Sequence, residues 1–480
     1  QNSSFIPLNF KYDGAVPISP LCLASDGKYY GLCSIGASPI NNLGYGAGFR
    51  FNPENQTYTK LFDFEGTVVR SGSGAFVEGL PGKLYALVVG SQAGKPRIIQ
   101  YDIVTGEMSV VVNFTNQDGD IPSNGLFKAS NGKLYGTTTN GGGGGSIGTL
   151  FEFDPATLQF TTRYRFNNQT IGAQPYGSLI QVAPDKLLGT TLSGGSSISG
   201  TIYEFTLSTG AVVLKQTFTG TNGSKPYGGL VDGGDGIYYG TTSEGGTANE
   251  GTIYSYDFAT NSIQTRASFG AFNLNHPHCN LTKASDGWLY GITHGYGVNS
   301  DRGGLFRYNP INQQLELIKQ FELEDGFGAD FNHQLQEISG VLTSDEIPTI
   351  LCPGSSFYVH FASNSTFSIG HVFTAELSDS DGSFINPQEI GSVTASQADS
   401  IFVTIPSSIT LGEHYRIRVR SENDLLLNID NGEDLIIGNP LSGTVQLDLV
   451  NLEPLCNGEE LQFQAYIEGF NSAYELEWYV

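Results

Sequence analysis

The sequence predicts an all-β chain, and three observations carry that prediction. The first is composition: 63 of 480 residues are glycine, 15% are charged, and 30 Phe and 24 Tyr stand against a single Met. Helices favour Ala, Leu, Met and long charged side chains; this mixture instead suits short strands joined by tight turns. The second is a beat. Phe10, Phe62, Phe114, Phe166, Phe218, Phe269 and Phe321 follow one another at steps of 52, 52, 52, 52, 51 and 52 residues. The third is that two other motifs keep the same beat. One is Tyr30-Gly31, Tyr85-Ala86, Tyr135-Gly136, Leu188-Gly189, Tyr239-Gly240 and Tyr290-Gly291. The other is Gly148-Thr149-Leu150-Phe151, Gly200-Thr201-Ile202-Tyr203 and Gly251-Thr252-Ile253-Tyr254, with a looser Gly303-Gly304-Leu305-Phe306.

Each repeat reads as four short strands, in the third repeat 126–129, 133–138, 149–154 and 159–166. Asn131-Gly132 joins the first two strands, as Asp26-Gly27, Asp235-Gly236 and Asp286-Gly287 do elsewhere, and such pairs supply the positive φ angles of a type I′ hairpin. The second connection is glycine-rich, as in Asn140 to Gly145, and runs long without strain. Asp154-Pro155 and Asn309-Pro310 mark the third turn. Four strands at a period near 50 residues predict the blade of a β-propeller. Six complete units occupy roughly residues 20–325. Residues 5–14 read as a fourth strand with no unit before it, and 329–338 as a first strand with none after it. A closed ring in which one terminus completes the other's blade removes an exposed sheet edge. The expected fold is therefore a six-bladed propeller over 1–340, with seven blades, one shared by both termini, as the alternative.

Residues 224–246, SKPYGGLVDGGDGIYYGTTSEGG, resemble the bacterial repeat called GloVer, with its Pro-Tyr-Gly-Gly-Leu start, Asp-Gly hairpin, Tyr-Gly-Thr-Thr and Gly-Gly. Residues 174–195 and 120–142 are similar, and the first two units only in outline. The resemblance spans about 5–335 and implies a secreted or surface-anchored protein; it brings no catalytic residue with it.

After Ile338 the beat ends at the polar, proline-bearing stretch Ser344-Asp345-Glu346-Ile347-Pro348. Strand candidates at 357–361, 372–377, 401–405, 415–421 and 434–437 predict an immunoglobulin-like β-sandwich over 341–440. Leu351-Cys352-Pro353-Gly354 recurs as Leu455-Cys456-Asn457-Gly458, so 441–480 reads as the start of a second, truncated sandwich. Residues 371–437 resemble the modules of long surface proteins exported by the type IX route in gliding bacteria, on Phe373, Leu377-Ser378-Asp379, Ile390-Gly391, Ile405-Pro406 and Tyr415-Arg416-Ile417-Arg418-Val419. That resemblance implies a stalk and a cell-surface location outside a Gram-negative outer membrane, with attachment or gliding motility as the setting.

With 23 Lys and Arg against 47 Asp and Glu, the chain carries −24 and repels phosphate, so nucleic acid and anionic membrane are poor partners. No apolar run approaches the 18 or so residues of a membrane span, and no direct membrane insertion is expected. Five scattered cysteines form no CxxC, which argues against a disulfide scaffold.

Chemistry-bearing motifs are few. There is no Gly-x-Ser-x-Gly elbow, phosphate loop or His-Glu-x-x-His. The most suggestive set lies at the unit boundaries, where Pro122-Ser123, Pro175-Tyr176, Pro226-Tyr227 and Pro277-His278 recur. Repeat symmetry places Tyr176, Tyr227, His278 and, past the last unit, Phe331 around one side of the opening. Aromatic faces with polar tips suit sugars; the competing reading is packing under the next blade. His276, His278, His294 and His333 cluster beside Cys279, a set of metal-ligating types without a known zinc spacing. Asp379 and Asp381 offer hard oxygens for Ca²⁺, as do Asp430 and Asp434, yet the loop lacks an EF-hand continuation; no other cofactor is expected. Cys22 and Cys33 flank the first hairpin. A tight turn pairing Ser25 with Lys28 would make them diagonal neighbours on one face, a disulfide only if the strand shifts. The function these features suggest is a non-enzymatic recognition head of a cell-surface adhesin, binding an extracellular glycan, surface ligand or partner surface protein. A carbohydrate-active enzyme with a paired-carboxylate centre and a filament-assembly module are the alternatives.

Overall fold

The computed structural model describes residues 15–17, 20–35, 46–52, 57–64, 69–72, 74–90, 95–167, 171–270, 275–293, 303–321, 335, 340–343, 347–363, 367, 370–396, 400–422, 427–438, 444–449 and 463–468. Every regular element among them is a β-strand, and no helix among them is long and apolar enough to cross a membrane. The chain forms two compact units, Gln1–Ile338 and Ser339–Val480.

The described residues of the first compact unit form six antiparallel sheets in chain order, each a meander in which successive strands pair. In the third repeat the strands are Asp120–Pro122 with Phe127–Lys128, then Leu134–Asn140, Thr149–Asp154 and Gln159–Arg165. The inner strand comes in two pieces, both paired to Leu134–Asn140. Between them runs the Pro-Ser-Asn-Gly-Leu segment equivalent to Pro-Tyr-Gly-Gly-Leu. The first repeat splits likewise into Ala15–Pro17 and Cys22–Leu23, and the fourth into Ala173–Pro175 and Ile180–Ala183.

The three markers share a beat because their side chains meet. Phe166, at the end of one repeat, stands edge-on to Tyr203 of the next, with centroids 5.0 Å apart. Phe114 meets Phe151 at 5.1 Å, Phe218 meets Tyr254 at 4.9 Å and Phe269 meets Phe306 at 5.1 Å in the same way. The receiving ring lies flat on the glycine of the Tyr-Gly or Leu-Gly pair. A Cβ on Gly189 would sit 2.4 Å from Tyr203 Oη, and one on Gly136 2.4 Å from Phe151 Cζ. The second threonine of Tyr-Gly-Thr-Thr pairs with the threonine of the Gly-Thr motif: Thr138 with Thr149 at 2.9 Å, Thr191 with Thr201 at 2.7 Å and Thr242 with Thr252 at 2.8 Å. Five apolar clusters form, and each is shared by two successive repeats; one joins Tyr135, Leu150 and Phe166 to Leu187, Tyr203 and Phe205. Repeats that bury their apolar surface only against neighbours are the hallmark of repeat architectures.

The hairpins correct one expectation. Only Asp235-Gly236 makes the two-residue loop with both φ angles positive (53° and 77°), and it closes between Gly234 and Ile237. At Asp26-Gly27, Asn131-Gly132 and Asp286-Gly287 only the glycine is left-handed. There the closing bonds run Ala24 N–H to Lys28 O, Ala129 N–H to Lys133 O and Ala284 N–H to Trp288 O. These are three-residue loops, a type I turn followed by a left-handed glycine. The added residue shifts the register by one and turns every side chain of one strand to the other face.

Among the described residues of the second compact unit, sheets of four, three and three strands surround an apolar cluster built on residues such as Val359, Phe373, Leu377, Ile401, Val403, Ile417 and Leu435, and a two-stranded sheet lies beyond them. Strand Val372–Leu377 stands where the sequence predicts it; Gly340–Thr343, Ile350–Leu351, Gln388–Thr394 and Leu427–Ile429 were not foreseen. Within this core Arg418, 3% exposed, pairs with Glu376, 8% exposed, at 2.8 Å, and Arg420 reaches the other carboxylate oxygen at 2.8 Å. A hairpin of Thr444–Leu449 and Phe463–Glu468 follows.

Candidate functional site

The site forms where the inner strand breaks, into two strands in the first four repeats and into a strand and an isolated bridge (Ser224 with Glu244, Pro277 with Thr293) in the fifth and sixth. Where the strand leaves its partner, glycines let the repeats approach one another. A Cβ on Gly74 would lie 2.5 Å from Gly125 Cα, one on Gly177 2.7 Å from Gly228 O, and one on Gly228 2.3 Å from Cys279 O. The first threonine of Tyr-Gly-Thr-Thr fastens this approach: Thr190 Oγ1 donates to Gly228 O (3.3 Å) and Thr241 Oγ1 to Cys279 O (3.2 Å), each in the following repeat.

Three of the expected aromatic positions come together in this crowded zone. Tyr176 and Tyr227 meet edge-on at 5.1 Å, and the Tyr227 ring lies 4.3 Å from the His278 imidazole. Both tyrosines are half-buried, whereas His278 is buried. The file is thus both packed and partly open, and neither reading of its role captures it alone. Phe331, the fourth proposed member, lies outside the described residues, as do His294 and His333.

Sequence reasoning missed the polar tie beneath the file. Asn280 Oδ1 accepts from Gly229 N–H at 2.6 Å, and Asn280 Nδ2 donates to Ser178 Oγ at 3.0 Å, 102 residues away. One side chain therefore binds three repeats. Further along, Asn124 Nδ2 donates to Tyr176 O at 3.2 Å. A signal existed: Pro277-His278-Cys279-Asn280-Leu281 departs from the Pro-Tyr-Gly-Gly-Leu pattern where the amide is needed.

The metal candidates find other partners. His276 places Nδ1 2.8 Å from Ser243 O and Nε2 2.9 Å from Glu250 Oε2, so both ring nitrogens are taken up by protein oxygens. The Cys279 sulfur accepts from Ile292 N–H at 3.0 Å, and burial pushes its thiol up to about 11, away from the thiolate a metal requires. Asp379 Oδ1 accepts from the Asp381 and Ser383 amides at 3.1 and 2.8 Å and closes its own turn. Asp430 and Asp434 both face Arg416, at 3.5 and 2.9 Å. No group of three or more His, Cys, Asp or Glu side chains disposed to hold a metal occurs among the described residues.

Cys22 and Cys33 are free thiols. The three-residue loop sets Cys22 opposite Tyr30, and Cys33 opposite Pro17. Cys22 therefore shares a face with Tyr30 and Leu32, while Cys33 points the other way, so the disulfide geometry is lost to a one-residue change of register.

Two buried carboxylates on third strands are saturated by cations. Glu152 lies against Lys133 (2.5 Å) and Arg163 (3.7 Å); Glu204 lies against Lys186 (2.7 Å) and Lys215 (3.3 Å). Burial alone would raise the Glu204 carboxyl, but the two lysines outweigh it and hold the group below its ordinary value. A general acid requires the opposite shift.

A family model described as the Gloeobacter/Verrucomicrobia repeat matches residues 75–293. The match opens at the inner strand of the second repeat and closes in the second strand of the sixth, so it contains the whole Tyr176–Tyr227–His278 file. No curated protein matches the chain.

Proposed function

We propose that the six sheets are blades of a propeller and that this propeller is a recognition head, binding an extracellular glycan or surface ligand without chemical turnover. The observation that carries the reading is the Tyr176–Tyr227–His278 file, one ring from each of three successive repeats, on the polar tie that Asn280 makes to Ser178. A tie across two repeats supports inner strands that converge, as around an axis, over a flat ribbon in which alternate repeats stay apart. Of the two closures, seven blades is favoured. Thr282 Oγ1 donates to Leu335 O, 53 residues on, and so gives the sixth repeat one further inner neighbour. The first repeat already holds its own inner strand.

In this reading the second compact unit is an immunoglobulin-like stalk module. Its single two-sided core and the bond from Tyr415 Oη to Thr410 O at 2.7 Å, five residues upstream, are features of that architecture. The head and stalk belong to a secreted or surface-held bacterial adhesin, with attachment or gliding as its setting. Rigid loops on a scaffold bind without moving, and half-exposed tyrosines supply flat contact area with hydroxyl tips.

Binding of the purified chain to immobilised glycans, with Tyr176→Ala and Tyr227→Ala beside it, tests the proposal. The native chain is expected to bind and each substitution to weaken binding severalfold. Turnover of chromogenic glycosides would move the reading to an enzyme, and a stoichiometric co-purifying protein to an assembly module.

A further inference from the structure

A backbone feature beside the aromatic file points to how a ligand is told from its relatives. In four successive repeats the residue before the boundary proline has a positive φ: Ile121 at 55°, Gln174 at 57°, Lys225 at 54° and His276 at 45°. Glycine takes such a conformation freely, whereas residues with a Cβ resist it, Ile most of all. The chain otherwise has glycine at hand. Gly119, Gly172 and Gly223, two residues upstream in three of the same connections, are left-handed as well. At the pre-proline position no repeat of the four uses it.

The backbone there is repeated closely. The amides of Gln174, Lys225 and His276 donate to Ile147 O, Ser199 O and Glu250 O of the preceding repeat, each at 2.9 Å. The register sets these residues beside the glycine-rich connections: Asp120 opposes Asn140, Ala173 opposes Ser193, and Ser224 bridges Glu244. What changes from repeat to repeat is the side chain: apolar, amide, cationic and imidazole. Ile121 is 51% exposed, Lys225 is exposed, and Gln174 and His276 are half-buried. A constant strained backbone that presents a variable side chain is the arrangement of a recognition position.

Charge narrows the partner. In a chain of net charge −24, these connections pair their charges off. Lys225 meets Glu244 at 2.6 Å and Lys95 pairs with Asp120 beside Ile121, while the His276 imidazole lies 2.9 Å from Glu250. Such a surface attracts neither anion nor cation strongly, and offers hydroxyls, amides and ring faces instead.

We infer that Ile121, Gln174, Lys225 and His276 are the specificity-determining positions of a face that binds an uncharged oligosaccharide. The inference rests on reading the Tyr176–Tyr227 file as the contact surface. It is tested on the full chain with an array carrying uncharged, sulfated and uronic-acid oligosaccharides at millimolar loading. The native chain captures uncharged members. Gln174→Gly and Lys225→Gly melt no lower than the native chain, because glycine relieves the backbone, yet lose about tenfold in capture. Lys225→Asn, whose short amide tolerates the left-handed region, keeps the fold and changes which oligosaccharides are captured. Full capture by the glycine variants overturns the inference, as does a fall in melting temperature together with capture, which marks the side chains as structural. Capture confined to acidic glycans overturns it as well. If Tyr176→Ala and Tyr227→Ala abolish capture while the glycine variants keep it, the face stands and only these readers fail. A native chain that captures nothing defeats both.

Discussion

The two compact units solve the same problem, holding sheets together, in different ways. In the first, the apolar surface of the described residues is divided into five clusters, each spanning one junction between repeats; the same edge-on ring pair recurs at four of these junctions, its receiving ring resting on a glycine of its own repeat. In the second, the described residues form one core, and its buried ion pair, Glu376 between Arg418 and Arg420, is not repeated along the chain. A repeated joint spreads the consequence of a change over neighbours; a single core concentrates it.

The largest expected effect follows from that concentration. Glu376→Ala leaves the Arg418 guanidinium buried without its counter-charge, a loss of about 3–5 kcal/mol. Chemical denaturation of the isolated 339–480 segment is expected to show it fully or nearly unfolded. A loss below 1 kcal/mol would mean that Arg418 finds water instead and the comparison overstates the core.

An intermediate effect is expected within the fifth repeat, at the ring Tyr254 that receives Phe218 of the fourth. In Gly240→Ala the new methyl meets Tyr254 at 2.5 Å from Oη and 2.6 Å from Cζ. Overpacking of this kind costs about 1–3 kcal/mol. Gly240 is not left-handed, so the cost comes from the ring alone. Tyr254→Leu in the same chain should restore part of it, and a double-mutant cycle without coupling would refute the ring-on-glycine account.

The smallest effect is at Tyr308, whose buried hydroxyl has no hydrogen-bond partner among the described residues. Tyr308→Phe should change stability at neutral pH by less than about 1 kcal/mol, because no bond is lost. Burial pushes the phenol up to about 12 from an ordinary 10. An unfolded chain therefore releases this proton first, and the folded state loses stability as pH rises from 10 through 12. The Phe variant should soften that alkaline loss. Equal alkaline curves for both proteins would remove Tyr308 from the account.

Much of this was legible beforehand. Strand Thr149–Asp154 lies where its alternation and bounding turns put it, because both signals are local. The split inner strand was not. Asp120–Pro122 reads as a connection until a partner strand is supplied. The turn type was also hidden, since Asn-Gly serves two-residue and three-residue loops alike; at Asp26-Gly27 that ambiguity decided the fate of Cys22 and Cys33. Of the candidate site, the equivalence of Tyr176, Tyr227 and His278 followed from the beat. Asn280 showed only as a departure from the repeat pattern; its role stayed hidden because its partners lie one and two repeats away.

From order alone came the all-β character, the 52-residue rhythm, the end of that rhythm near 338 and the aromatic residue at each boundary. These depend on side-chain type and short-range turn chemistry, which a linear string records. Folding in space alone decided which rings touch, which thiols part, which carboxylates are neutralised and which side chains occupy a left-handed backbone. Those depend on contacts between residues about fifty and a hundred positions apart, where a shift of one residue in register sends a side chain to the opposite face.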